Sequence, residues 1–201
     1  MARRKVEVRR EEILGATCDE VAKRGFANTR AADVAAALGV STGLIFYHFE
    51  SKDALLSAAF AYAAERDLAR LDHAAQGRGS ARRRLARILT MYGPEGEGAG
   101  WALWIDAWAA ALRSPQMAEV SRRLDVRWKD TVAAVIAQGV ASGELTCADP
   151  SGAAWRITAL VDGLAVQATV HDGLLSSRQV SGWVRATAAA ELGIAPGDLR
   201  P

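Results

Sequence analysis

Residues 29–52, TRAADVAAALGVSTGLIFYHFESK, decide how the rest of the chain is read. Ala32, Val34, Ala35 and Leu38 are small or apolar at helical spacing, which predicts a short helix from Thr29 to about Ala37. Gly39 then stands where the chain must turn through a left-handed residue, a conformation cheap only for glycine. Ser41 is a capping residue for a second helix, and Leu44, Ile45 and Phe49 supply its buried side. Ala35, Gly39 and Ile45 are spaced four and then six residues apart. A helix-turn-helix needs that pattern: a small residue at the crossing, a glycine in the turn and an aliphatic anchor under the second helix. An ordinary helical hairpin would share the glycine turn. The polar and amphipathic groups Thr42, Tyr47 and His48, with Lys52 opening the next helix, favour phosphate and base contacts instead. The candidate DNA contacts are Thr29, Arg30, Ser41, Thr42, Gly43, Leu44, Tyr47, His48 and Lys52.

With its flanks, the stretch resembles the DNA-binding domain of the tetracycline-repressor (TetR) family of bacterial regulators. The matching residues are Gly25, Phe26, Thr29, Asp33, Val34, Ala35, Gly39 to Ser41 and Gly43, then IFYHF at 45–49 and SKDALL at 51–56. The resemblance covers about residues 9–57. It implies an all-α, homodimeric transcriptional regulator with about nine helices, most simply a repressor released from a palindromic operator by a small-molecule ligand. Residues 1–52 would form a three-helix helix-turn-helix domain with a flexible basic arm at 1–8, and 53–201 a helical ligand-binding and dimerisation domain. One residue departs from the pattern. Phe46 stands where the family often has tyrosine, so a phosphate-bonding hydroxyl is missing there.

Composition sets outer bounds. The 201 residues suffice for one domain or two small ones, and half of them are hydrophobic. No run reaches the ~18 apolar residues of a membrane helix. The start, MARRKVEVRREE, is charged and unlike a secretory signal, and Cys18 and Cys147 lack CxxC spacing, so a cytoplasmic protein is expected. The net charge of +2 does not announce nucleic acid. Its distribution says more, because Arg3, Arg4, Lys5, Arg9 and Arg10 face only Glu7 in the first ten residues. Such an arm could track phosphates or simply be a solvated tail.

Further along, periodicity predicts a helix over 9–24 that Gly25 stops, with Phe26 plugging the three-helix core. A long helix follows Ser51 to about Ala75, and a helix over 80–92 carries Arg82, Arg83, Arg84 and Arg87 on what reads as a solvated face. GPEGEGAG, from Gly93 to Gly100, reads as a hinge or mobile loop, with no phosphate-loop lysine after it. Ser114–Pro115 and Asp149–Pro150 look like cap and first-turn pairs for two further helices. The second is apolar on nearly every side, which demands cover on all sides. It could pack with the last helix, from about Ser177 to Leu192, and with the same pair of a second chain as a four-helix bundle.

Trp101, Trp104 and Trp108, three and four residues apart, share one helix face, and Trp128 lies on the inner stripe of the next helix. Indoles attract cations and flat apolar molecules, at roughly 0.5–2 kcal/mol per cation–π contact. They also fill cores. The effector would be a cationic or aromatic small molecule, and Asp162, on the face of Trp155, Ala159 and Val166, needs a partner: the charge of a cationic effector, Arg156, or a dimer-interface hydrogen bond. Asp106 falls about 140° from the Trp face and is a poorer candidate. The segment WALWIDAWAAALRSP also resembles the choline-responsive (BetI-like) branch of the family, without fixing the ligand. His48, His73 and His171 lack metal-ligand spacing, and no nucleophile constellation appears, so neither enzyme, metal site nor cofactor is expected. The alternative to a ligand-controlled regulator is a DNA-bound protein whose C-terminal domain docks a protein partner.

Overall fold

The computed structural model describes residues 2–92, 100–171 and 173–199, with side chains from Arg9 onward. Among these residues the chain is all-α: α1 (Ala2–Asn28), α2 (Ala31–Leu38), α3 (Thr42–His48), α4 (Lys52–Gln76), α5 (Ala81–Tyr92), α6 (Gly100–Ala111), α7 (Pro115–Ala141), α8 (Pro150–Val170) and α9 (Ser177–Glu191). A 3-10 turn, Pro196–Asp198, follows. The arm expected to be flexible over 1–8 is helical from Ala2. The hinge expected in the glycine-rich stretch falls at 93–99, outside the described residues, and Gly100 already opens α6. No single described helix is long and apolar enough to cross a membrane.

The chain divides into two compact units. Unit 1 is Met1–Arg66 with Ala102–Leu124, and unit 2 is Asp67–Trp101 with Asp125–Pro201. Unit 1 is thus larger than a reading head ending at 52, since it adds the first part of α4 and residues 102–124.

In unit 1 the head closes on Ile13, Leu14, Ala31, Val34, Ala35, Ile45, Phe49, Leu55 and Ala59. The small-residue crossing is real: Ala35 is 3% exposed and Ile45 fully buried. Between them Gly39 adopts φ 64°, ψ 34°, which ends α2 and turns the chain into α3. Phe26 does not join that cluster. Gly25 breaks the helix at φ 77°, ψ 162°, and Phe26 turns edge-on to Phe60 at 6.2 Å between ring centroids. Phe60 meets Trp104 edge-on at 4.9 Å, and Trp104 lies 5.9 Å from Trp108. This aromatic ladder joins α1, α4 and α6 within unit 1.

Asp106 completes that junction. Its Oδ2 accepts the Phe26 backbone N–H at 2.6 Å, and a Cβ added at Gly25 would stand 3.0 Å from the same oxygen. Ser114 caps α7 by accepting the Met117 N–H, and its hydroxyl donates to Asp53 at 3.3 Å.

Unit 2 contains a second core, with Leu85, Ile88, Trp128, Val132, Ile136, Ile157 and Val184 buried. Three of the four α5 arginines are tied down, and only Arg83 is exposed as a solvated face requires. Arg84 donates to the Ala75 carbonyl and to Gln138, Arg87 to the Arg78 carbonyl, and Arg82 to the Glu144 carbonyl. Helix α8, capped by Asp149 at the Gly152 N–H, buries Ala153, Ala154, Ile157, Thr158, Val161 and Ala165. Its other side, with Trp155, Ala159, Gly163 and Val170, is exposed in the single chain.

Candidate functional site

The sequence builds the candidate DNA-reading surface of unit 1 by separating what α3 buries from what it presents. Ile45 and Phe49 point into the head, so the residues between and before them face outward. Ser41, Thr42, Gly43 and Tyr47 are exposed, Tyr47 to 75%, while Leu44 and His48 are half-buried. The Ser41 hydroxyl accepts the Leu44 N–H at 3.3 Å and fixes the start of the helix. Tyr47 and His48 meet edge-on at 5.2 Å between ring centroids. A short, rigid helix presenting a hydroxyl, a glycine and a phenol is what a major groove admits.

Thr29 is the exception among the expected contacts. It is fully buried, and its hydroxyl donates to the Gly25 carbonyl at 2.8 Å, so it holds the α1–α2 connection and does not face DNA. Arg30 is exposed, and its backbone N–H donates to Asp33 at 2.9 Å to start α2. Lys52 is half-buried and donates from Nζ to the Ala27 carbonyl at 3.2 Å, which leaves two of its N–H groups for a phosphate. Arg10 stacks over the Phe49 ring at 4.8 Å and adds a cation beside α3. Glu20, buried on α1, accepts from Lys23 and Arg24, whose bonds hold its carboxyl below the usual range.

The candidate effector residues separate between the units. Trp104 and Trp108 belong to the aromatic ladder of unit 1, whereas Trp101, Trp128 and Asp162 belong to unit 2. Along α6, Trp104 meets Phe60 and Trp108, while Trp101 meets Tyr92. In unit 2 the centre is a residue that sequence reasoning passed over. Tyr92 packs edge-on against Trp128 and, at 6.2 Å between centroids, edge-on against Trp101. Its hydroxyl is buried with no hydrogen-bond partner among the described residues, and burial, the largest cause, pushes the phenol far above its ordinary pKa. The signal was present, because Tyr92 continues the stripe of Leu85, Ile88 and Leu89 at helical spacing.

Asp162 adds a charge that Tyr92 senses. Burial raises its carboxyl from 3.8 to about 6; Lys129 opposes the shift and Asp125 adds to it. Lys129 cannot neutralise Asp162 fully, because it is ion-paired with Asp125 and stands over the Trp155 ring at 4.6 Å. Nor does Arg156, which binds Glu191 through two bonds of 2.7 and 2.8 Å. Unit 2 thus brings the Tyr92 ring, whose hydroxyl has no partner among the described residues, against Trp101 and Trp128, and it carries an under-compensated carboxylate at Asp162. No group of three or more His, Cys, Asp and Glu able to hold a metal exists among the described residues.

A helix-turn-helix on an all-α scaffold with a separate helical unit defines a DNA-binding regulator. Residues 13–59 match the family model for bacterial regulatory proteins of the tetR family, and residues 81–193 match that for the C-terminal region of BetI-type transcriptional repressors. The chain belongs to the TetR family of transcriptional regulators, in its BetI-type branch. It is 28% identical over 174 residues to the HTH-type transcriptional regulator BetI of Cronobacter sakazakii, covering 81% of this chain and 80% of that one. With the BetI of Stenotrophomonas maltophilia it is 29% identical over 123 residues, 60% of this chain and 63% of the relative. A transcriptional regulator from Saccharomonospora viridis, solved in complex with choline, superposes with a TM-score of 0.81 at 26% identity, over 92% of this chain and 98% of that one. The family is one of regulators, not enzymes.

Proposed function

We propose that this chain represses transcription as a homodimer on a palindromic operator and releases DNA when an organic cation binds in unit 2. The observation that carries the reading is the Tyr92 ring against Trp101 and Trp128, with the largely buried Asp162 carboxylate close enough for Tyr92 to sense its charge. Aromatic faces and a desolvated carboxylate together select a positive, weakly hydrated head group. The choline complex of the S. viridis regulator supports the same ligand class.

Dimerisation is supported by α8 and α9. Trp155 and Trp183 are 49% and 44% exposed, next to the small residues Ala159 and Gly163 on α8 and Gly182 and Ala186 on α9. Large rings beside small residues allow two helix pairs to interlock, and a palindrome needs two heads. The exposed residues of α3, with Arg30 and Lys52, then contact the operator. A ligand favouring one spacing of the heads shifts the equilibrium between bound and released protein. A regulator acting on the chromosome works in the bacterial cytoplasm.

The test pairs Trp128→Ala and Tyr92→Phe with the wild type. Each variant should bind an operator duplex, selected from a random library by the wild-type chain, with near wild-type affinity. Each should lose release by choline and related amines by tenfold or more. Variants that respond to the cations like the wild type would remove unit 2 as the effector site.

A further inference from the structure

We propose that Phe46 reads the 5-methyl group of a thymine in the operator. The inference rests on α3 being the recognition helix and goes beyond it to a specificity-determining residue.

Three observations carry it. First, Ile45 on α3 is 0% exposed and Phe49, just after the helix, 4%, yet Phe46 is 48% exposed. Second, Phe46 lies one turn along from Thr42, on the flank where α3 offers a hydroxyl for base contact. Third, a phenyl ring has no hydroxyl and cannot bond a phosphate oxygen. In the major groove the apolar feature of a base edge is the thymine methyl, and phenylalanine is among the side chains that contact it.

The geometry restricts the position as well as the base. One helical turn is ~5.4 Å, about one and a half base-pair steps at ~3.4 Å each. The thymine read by Phe46 should therefore lie within two base pairs of the pair whose identity matters to Thr42. Packing of the ring on a deoxyribose is the competing contact, and it would carry no sequence information.

The experiment uses the full chain and a duplex it enriches from a randomised library. Each dT is replaced singly by deoxyuridine, which removes only the methyl group and leaves pairing intact. In the wild type, one position per half-site should lose about fourfold in affinity, the factor equivalent to ~0.8 kcal/mol for one buried methyl, and about fifteenfold when both half-sites are changed. Phe46→Ala should bind the dT and dU duplexes equally, Phe46→Leu should keep part of the preference, and Tyr47→Ala should keep all of it. Thermal melting checks that the variants fold, as expected for a half-exposed side chain. Insensitivity of the wild type to every substitution would overturn the proposal, as would a dU penalty that survives in Phe46→Ala or disappears only in Tyr47→Ala. Failure to enrich any duplex would overturn it together with the regulator reading on which it rests.

Discussion

Asp162→Asn should make the ligand-free protein more stable and less responsive at once. The carboxyl is raised from 3.8 to about 6, mainly by burial. At ~1.4 kcal/mol per pH unit that difference has a ceiling of about 3 kcal/mol. Relaxation around the group should leave about half, or ~1.5 kcal/mol, which for a chain of this size raises Tm by roughly 3–6 °C. The direction follows from proton binding. Between about pH 4 and 6 the folded chain holds a proton that the unfolded chain has lost, so stability falls as pH rises through that window. The variant's advantage should therefore be full at pH 7.5 and vanish near pH 4. The assay is thermal unfolding of both proteins at fixed concentration across that range, because a dimer's Tm depends on concentration. Cation binding should follow the same group: in the wild type it should weaken about tenfold per pH unit below pH 6, and in the variant it should be weak throughout. An asparagine variant less stable than the wild type at pH 7.5 would refute the reasoning, since it would mean the carboxylate is already well partnered. A stability difference independent of pH would refute it equally.

Gly39→Ala should cost about 1–2 kcal/mol from the left-handed backbone alone, because an added Cβ meets nothing within 4 Å; chemical denaturation would read it, and Gly39→Asn should recover part. Asp106→Ala should destabilise unit 1 by about 1–3 kcal/mol by removing the acceptor of the Phe26 N–H, with faster hydrogen exchange at that amide. Trp183→Arg should yield monomers in sedimentation and abolish operator binding while each chain stays helical. Lys52→Ala should weaken binding equally across operator sequences and flatten the salt slope by about one for each phosphate the lysine neutralises, whereas Thr42→Ala should change base preference.

The head was legible because its constraints are local. Ala35, Gly39 and Ile45 each have a spacing or a backbone reason, and the structure uses all three as read. Thr29 misled because a hydroxyl near a helix start suits a phosphate and a backbone carbonyl equally, and only the Gly25 turn decides between them. The Trp stripe was legible only as far as its face. Helical spacing puts Trp101, Trp104 and Trp108 on one face of α6, but it cannot say which neighbours that face meets along its length. Asp106 was set aside by angle from that stripe, and its partner, the Phe26 N–H, lies eighty residues away in sequence. Arg156 looked available to Asp162 six residues on, but pairs with Glu191 of α9 instead. Long-range partners of charged groups are not encoded in periodicity.

The central claim, control of a dimeric DNA reader by an organic cation, is tested most directly by one titration. A labelled duplex enriched by the protein is saturated with the full chain, and its anisotropy is followed as choline is added at pH 7.5. Two chains should bind each palindromic duplex, and release should be complete, saturate with choline in the wild type and be lost in Asp162→Asn. A duplex that binds one chain, or one that no choline or related amine displaces from the wild type, would contradict it.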